Sequence, residues 1–240
     1  MFWLLAVIGV VMTGVSKSGF AGGIGVVAVP LMALEVGPIR AAAIMLPVLL
    51  VMDYWSLRAW WRQQHNGYLR LLLPGAMIGI LAGYLLFDYL DDQVLTLLLG
   101  GFSIWFAIWG LIKGQNMGDI KSPWMGRICG MVAGLTSFFA HAGGPPFNLY
   151  MIPKRLPRET YVATGVVFFS VVNVVKLAPY AALGQVNIDN LLVAGILLPV
   201  AWLGVRLGLV IQSRINDKLF YRLILIMLFL VGIRLIFSGL

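Results

Sequence analysis

The segment GVSKSGFAGGIGVVAVP, residues 14–30, places a lysine and a run of glycines inside an otherwise apolar N-terminal stretch. A second apolar stretch is interrupted by FFAHAGGPP at residues 138–146, and both interruptions contain Ala-Gly-Gly. The surrounding stretches, 2–34 and 124–153, are each too long for one straight crossing of a bilayer at about 1.5 Å per helical residue. We therefore predict two broken helices, each forming a re-entrant hairpin.

The composition of the chain is that of a membrane protein. Hydrophobic residues make up 61% of the 240 residues and charged residues 11%, with a mean hydropathy of +0.96, far from the averages of soluble domains. Six further apolar runs approach the roughly 20 residues that cross a bilayer; they are 41–57, 71–87, 94–112, 161–182, 191–211 and 219–237. The sequence predicts an all-α, multi-pass protein of the cytoplasmic membrane, in contact with lipid.

Some classes of function are disfavoured by the same composition. Lys and Arg exceed Asp and Glu, 17 against 9, but in a membrane protein this excess reports topology, so we expect no nucleic-acid partner. The single cysteine, Cys129, excludes an internal disulfide and a multi-cysteine metal site, and we predict no metal. No His-Glu-x-x-His motif or nucleophile with an evident base is present, so we predict that the protein is not an enzyme.

An internal repeat is visible in the later apolar runs. PGAMIGILAG, with Pro74, Gly79 and Gly83, matches PVAWLGVRLG, with Pro199, Gly204 and Gly208, at one constant offset that also carries Asp92 onto Asp217 and Gly114 onto Gly239. We predict two halves, residues 1–115 and 123–240. Each half consists of one broken hairpin, 2–34 or 124–153, followed by three membrane-spanning helices.

The distribution of charge predicts how the two halves are oriented. If both hairpins dip in and return, the loops at 58–70, 113–127, 154–158 and 212–222 share one face and hold most of the basic residues. The positive-inside rule makes that face cytoplasmic. The first hairpin then opens to the outside and the second to the cytoplasm, both termini lie outside, and the halves form inverted-topology repeats.

Inverted halves with paired broken helices are typical of secondary transporters with a binding site near the bilayer midplane. The N–H groups at the start of a half-helix lack intrahelical partners and attract anions, and glycine allows a ligand to approach the backbone closely. The candidate substrate-binding glycines are Gly19, Gly22, Gly23, Gly143 and Gly144. We therefore predict a small anionic substrate.

Side chains beside the breaks have alternative interpretations. Lys17 either pairs with the anion or extends to the membrane interface, and Ser18 offers a hydroxyl. His141 either donates to the anion or holds the hairpin by a hydrogen bond. Asn148 either binds an oxygen of the substrate or caps the half-helix. All four are candidate substrate-binding residues.

The spans that follow the breaks contain a second set of candidates. Asp53 and Asn173 nearly coincide when the halves are aligned from their Gly-Gly pairs, and Lys176 lies on the same helix face as Asn173. Asn173 and Lys176 are candidate substrate-binding residues. Asp53 is a candidate proton-coupling residue; the alternative is a structural ion pair with Arg58 or a lysine.

These segments resemble the sulfite exporter TauE/SafE family. The resemblance is carried by KSGFAGGIG with the following Pro30 and by HAGGPP with the following Pro153, and it spans nearly the whole chain. It implies transport of sulfur-containing anions such as sulfite, sulfoacetate, taurine-derived sulfonates or thiosulfate, by a helical protein without a bound cofactor. Lys17 is not carried over as a general feature of the family.

The prediction is therefore a secondary transporter of small sulfur-containing anions, with proton coupling as one mode of energisation. An anion channel, and a transporter of other anions such as carboxylates, are the alternatives. Sequence alone does not separate a carrier from a channel. It also leaves open a homodimer.

Overall fold

The structure, a computed structural model, describes residues 1–19, 25–113, 122–211 and 217–240. Within these ranges the chain is helical and contains no β-strand. The helices are α1 (Phe2–Gly19), α2 (Ala28–Val36), α3 (Pro38–Ala59), α4 (Asn66–Leu86), α5 (Asp92–Lys113), α6 (Pro123–Ala140), α7 (Gly144–Met151), α8 (Arg158–Ala182), α9 (Ile188–Ile211) and α10 (Asp217–Gly239). The predicted all-α membrane fold is confirmed.

Five of the described helices, α3, α4, α5, α8 and α9, are long and apolar enough to cross a membrane. They contain the first five predicted spans almost in full. The sixth, 219–237, lies within α10. Many large apolar side chains on these helices are exposed, among them Leu81, Leu98 and Ile196, because the surrounding medium is lipid rather than water.

Both predicted hairpins contain a break in the helix. The first break falls between the end of α1 at Gly19 and a short 3₁₀ turn, Gly25–Val27, that leads into α2. A Cβ on Gly9 would lie 2.9 Å from Ala28 Cα, so α2 returns along α1. The second break follows Ala140, where His141 takes the left-handed conformation at φ 51° and ψ 29°, and the helix resumes at Gly144.

Two pairs of parallel helices are packed through glycine. In the first pair, a Cβ on Gly75 or Gly79 of α4 would clash with backbone oxygens of α6, at Arg127 and Met131. In the second pair, Gly14 of α1 faces Gly204 of α9, where a Cβ would meet backbone atoms at 2.8 Å. Because a side chain is missing at each crossing, the backbones approach closely. Each pair joins a helix from one half of the chain to a helix from the other.

The centre of the molecule is formed by α3 and α8, which run antiparallel. Asp53 of α3 is hydrogen-bonded to Asn173 of α8, while Trp60, just past the end of α3, packs with Val162 and Val166 near the beginning of α8. The outermost pair, α5 and α10, is also antiparallel, because Gln93 Nε2 donates to Gly239 O. In each of these two pairs, a helix within residues 1–115 thus runs antiparallel to a helix within residues 123–240. The repeat boundaries at 1–115 and 123–240, and the orientation of each half in the membrane, stay predictions.

Candidate functional site

A cluster of polar side chains lies where α1, α3, α6 and α8 meet. On one side of it, Lys17 Nζ is 2.7 Å from Asp53 Oδ1, and the other oxygen, Asp53 Oδ2, accepts a 2.7 Å hydrogen bond from Asn173 Nδ2. All three residues are at most 4% exposed. The alternative of a structural ion pair with a lysine therefore describes Asp53 in this conformation, and Lys17 does not extend to the interface.

On the other side of the cluster, the ammonium group of Lys176 donates three hydrogen bonds. The acceptors are Ser137 O at 2.9 Å, Ser137 Oγ at 3.0 Å and His141 Nδ1 at 2.6 Å. His141 Nε2 lies 2.8 Å from Ala42 O. Because a carbonyl oxygen can only accept, Nε2 carries the ring proton and Nδ1 is left as the acceptor for Lys176. Through the Nε2 hydrogen bond, His141 fastens the second break to α3.

The charges in this cluster do not cancel. When both are protonated, Lys17 and Lys176 are two cations beside Asp53, which is the one buried carboxylate among the described residues. Asp53 is paired with Lys17, whereas no described carboxylate lies within ion-pair distance of Lys176, which is 0% exposed. A buried charge is stable only when a counter-charge or a dense set of hydrogen bonds compensates it. With both lysines protonated, the cluster has one positive charge in excess, which a bound anion would compensate.

A small cavity opens beside Lys17, and its wall includes Ser137 and His141, the hydrogen-bond partners of Lys176. It is lined by Thr13, Lys17, Leu49, Ser137, His141, Phe169 and Asn173, and about 20 Å³ is available to the centre of a water molecule. That volume holds about one water and is too small for an oxyanion with three or four oxygens. This conformation is therefore closed around its polar centre.

The structure places the predicted site residues in two groups. Lys17, His141, Asn173, Lys176 and Asp53 come together in the cluster, although they are distant in the sequence. Whether they bind substrate, and whether Asp53 carries a proton, stay predictions. The remaining candidates lie outside the cluster, hydrogen-bond to backbone carbonyls or allow close backbone packing.

Ser18 and Asn148 lie outside the cluster. Ser18 Oγ is bonded to Gly14 O and, across the helix interface, to Val205 O, so its hydroxyl joins α1 to α9. Asn148 Oδ1 accepts from Tyr161 OH. The alternative that Asn148 caps α7 is wrong, because the N-cap of that helix is Gly143. Asn148 is one turn too far along the helix to reach the orphan N–H groups.

The glycines at the breaks have different surroundings. Gly19 is the last residue of α1, and Gly22 and Gly23 lie outside the described residues. A Cβ on Gly143 would lie 2.7 Å from Ala133 O and 3.0 Å from the ring of Phe169, so this glycine permits close packing of the break. Gly144 begins α7, and the next two residues are prolines, which have no N–H to offer a ligand.

Four residues that line the cavity were not among the candidates predicted from the sequence: Thr13, Leu49, Ser137 and Phe169. Each lies four positions before a residue that was chosen, namely Lys17, Asp53, Asn173 and His141. Side chains four apart share one face of a helix. Extending the helical period backwards from each candidate would have found all four.

Comparison with known proteins gave one family and one relative that bear on this site. The family model described as sulfite exporter TauE/SafE matches residues 5–235. The probable inner membrane transporter protein TsaS of Comamonas testosteroni is 29% identical over 170 residues, which cover 68% of this chain and 69% of that protein. No solved structure matches.

Proposed function

The chain belongs to the sulfite exporter TauE/SafE family, and from that premise we propose that it carries a small sulfur-containing oxyanion, such as sulfite or a sulfonate. It is a multi-pass protein of the cytoplasmic membrane, as its membrane-spanning helices and its inner membrane relative indicate. The observation that carries the proposal is the buried amine of Lys176, whose hydrogen-bond partners among the described residues are all uncharged acceptors.

The geometry around Lys176 suits an oxyanion. Its three N–H groups point to neutral acceptors that an anionic oxygen can replace with a stronger, charge-assisted hydrogen bond. The hydroxyl of Ser137 accepts from Lys176, which leaves its own proton free to donate to the anion. Lys17 lines the cavity together with Ser137 and His141, the partners of Lys176, and supplies a second cation once it is released from Asp53.

Asp53 gives this site a way to couple anion binding to protons. Proton binding to Asp53 neutralises the partner of Lys17 and raises the net charge of the cluster from one positive charge to two. The anion then binds more tightly, and by reciprocity the bound anion favours protonation of Asp53. Proton and anion therefore enter together, as in a symporter.

The arrangement of the chain supports transport by two inverted repeats. Asn173 and its partner Asp53 lie 120 residues apart, and at the same offset Lys17 corresponds to Ser137 and Ser56 to Lys176. Each half thus contributes one lysine and one serine. The first half carries its lysine on α1 and its serine on α3, whereas the second carries its serine on α6 and its lysine on α8. A site at the meeting point of two such repeats can be exposed to either side by a change in how the helices around it pack.

The test is a thermal-shift screen of the purified protein with sulfite, sulfate, sulfoacetate, taurine and matched carboxylates. At about 100 times the dissociation constant a bound ligand stabilises the folded state by roughly 2.7 kcal/mol. We expect sulfite or a sulfonate to stabilise the protein. Lys176→Met should abolish that response, whereas Lys154→Met, which removes a lysine outside the cavity, should retain it.

Two outcomes would contradict the proposal. Stabilisation by carboxylates but by no sulfur oxyanion would assign a different substrate class. An unchanged response in Lys176→Met would place the site elsewhere. Reconstitution into proteoliposomes then separates a carrier from a channel, since only a carrier shows saturable counter-exchange of labelled substrate.

A further inference from the structure

Two aromatic side chains make equivalent hydrogen bonds at opposite ends of the central helix pair. Trp60 Nε1 donates to Ser18 O at 2.8 Å, and Tyr180 OH donates to Phe138 O at 2.5 Å. Donor and acceptor are 42 residues apart in both cases. Tyr180 also lies at the same 120-residue offset from Trp60 as Asn173 lies from Asp53.

Both acceptors are carbonyl groups at the end of a broken helix. Ser18 lies in the last turn of α1, which ends at Gly19, and Phe138 lies in the last turn of α6, which ends at Ala140. Carbonyls in a last helical turn have no intrahelical N–H partner. Each aromatic side chain therefore caps an orphan carbonyl and fastens the broken helix of its own half to the following span.

The two contacts are on opposite sides of the cavity. Trp60 lies seven residues after Asp53, and Tyr180 lies seven residues after Asn173. Because α3 and α8 run antiparallel, these two steps lead in opposite directions from the Asp53–Asn173 contact. Seven helical residues correspond to about 10 Å. Trp60 packs against Val162 and Val166 at one end. At the other end the ring of Tyr180 stacks beside His141 at 6.3 Å and meets Phe138 edge-on at 5.3 Å.

We propose that Trp60 and Tyr180 are the paired gates of the transport site. Both hydrogen bonds are formed in this conformation, and each lies beside a residue of the cavity wall: Lys17 precedes the acceptor Ser18, and the Tyr180 ring stacks beside His141. Breaking the Trp60 contact opens the end beside Ser18, and breaking the Tyr180 contact opens the end beside His141. The inference rests on the proposed function, since gates serve alternating access, but it is independent of which anion is carried.

The proposal is tested by sided labelling of a cysteine in the cavity. Thr13→Cys places a thiol on the cavity wall, in a background where Cys129 is replaced by Ala. The probe is an anionic, membrane-impermeant methanethiosulfonate, applied to right-side-out and inside-out vesicles. Trp60→Phe and Tyr180→Phe keep a ring and remove the donor. Trp61→Phe and Tyr89→Phe, at residues 63% and 82% exposed, are the matched controls.

We expect each gate variant to raise the labelling rate at least fivefold from one side only, and the two variants to act from opposite sides. The controls should label like the parent protein. Acceleration from the same side, from both sides together, or in neither variant would overturn the proposal. A purely structural role would lower the melting temperature of both variants without any sidedness. Phe169→Cys repeats the measurement from another wall if Thr13→Cys fails to fold.

This experiment distinguishes the gates from the transport proposal. Cysteine labelling requires no substrate, so the labelling result can be interpreted even if no anion stabilises the protein in the thermal-shift screen. Conversely, anion binding that depends on Lys176, together with unsided labelling, would retain the transport site and reject the gates.

Discussion

Replacing Asp53 by Asn separates the two roles that the structure gives this carboxylate. The ion pair with Lys17 is 2.7 Å long and buried. At an effective dielectric constant of about 20, two unit charges at that separation attract by roughly 6 kcal/mol before the cost of desolvation. Removing one partner of such a pair costs about 3–5 kcal/mol, because the other charge is left buried and unpaired. Asp53→Asn should therefore lower the free energy of unfolding by that amount.

The same substitution should strengthen anion binding. In Asp53→Asn both lysines are unpaired, and the net charge of the cluster rises from one positive charge to two. We expect the dissociation constant for the anion to fall at least tenfold, about 1.4 kcal/mol. Asp53→Asn thus mimics the protonated carboxyl, with a less stable apo protein and a tighter complex.

The double variant Lys17→Met/Asp53→Asn supplies the control. It removes both charges of the pair and leaves Lys176 as the one cation of the cluster. Most of the lost stability should return, and the anion affinity should return toward that of the parent protein. Melting curves with and without the stabilising anion, followed by calorimetric titration, measure both quantities. An Asp53→Asn protein as stable as the parent, or one that binds the anion more weakly, would refute this reasoning.

Three further predictions follow from the packing and the topology. Ser137→Ala removes a hydroxyl from Lys176 and from the bound oxyanion, so titration should show affinity weakened about fivefold, roughly 1 kcal/mol for one hydrogen bond; unchanged affinity would remove Ser137 from the site. Gly79→Ala forces a Cβ against α6 and should lower the melting temperature, whereas Gly101→Ala, with nothing within 4 Å, should be neutral or stabilising by about 0.5–1 kcal/mol; equal effects would contradict the close packing. Cysteines at Gly67 and Gln185, in a cysteine-free background, should be labelled from opposite faces of the membrane, and labelling from one face would reject the inverted topology.

Much of the fold follows from local sequence. A run of about 20 apolar residues forms a membrane helix whatever its neighbours are, so α3, α4, α5, α8 and α9 could be predicted almost to their ends. The second break could be predicted as well, because Gly143 and the prolines after it restrict the backbone. These features require no knowledge of which helix packs against which.

The site could be predicted only in part, since its partners come from different helices. Alignment of the two halves made Asp53 and Asn173 near-equivalent positions without predicting a contact, and the structure joins them by a hydrogen bond. Sequence could not choose between Arg58 and Lys17 as the partner of Asp53. Of the two serines near a break it chose Ser18 and left out Ser137, whereas in the structure Ser137 contacts Lys176 and Ser18 does not line the cavity. The rotation of a helix about its axis is set by packing: Ser18 turns toward α9 and Ser137 toward Lys176.

The glycine-packed pairs limit how the molecule can move. Two helices of the first half, α1 and α4, pack closely against helices of the second half, α9 and α6 respectively. If one half rotated as a unit against the other, both of these close backbone contacts would have to slide apart. We therefore expect the units that move together to be α1 with α9 and α4 with α6, and the hinge to lie between these two units, at the antiparallel α3 and α8.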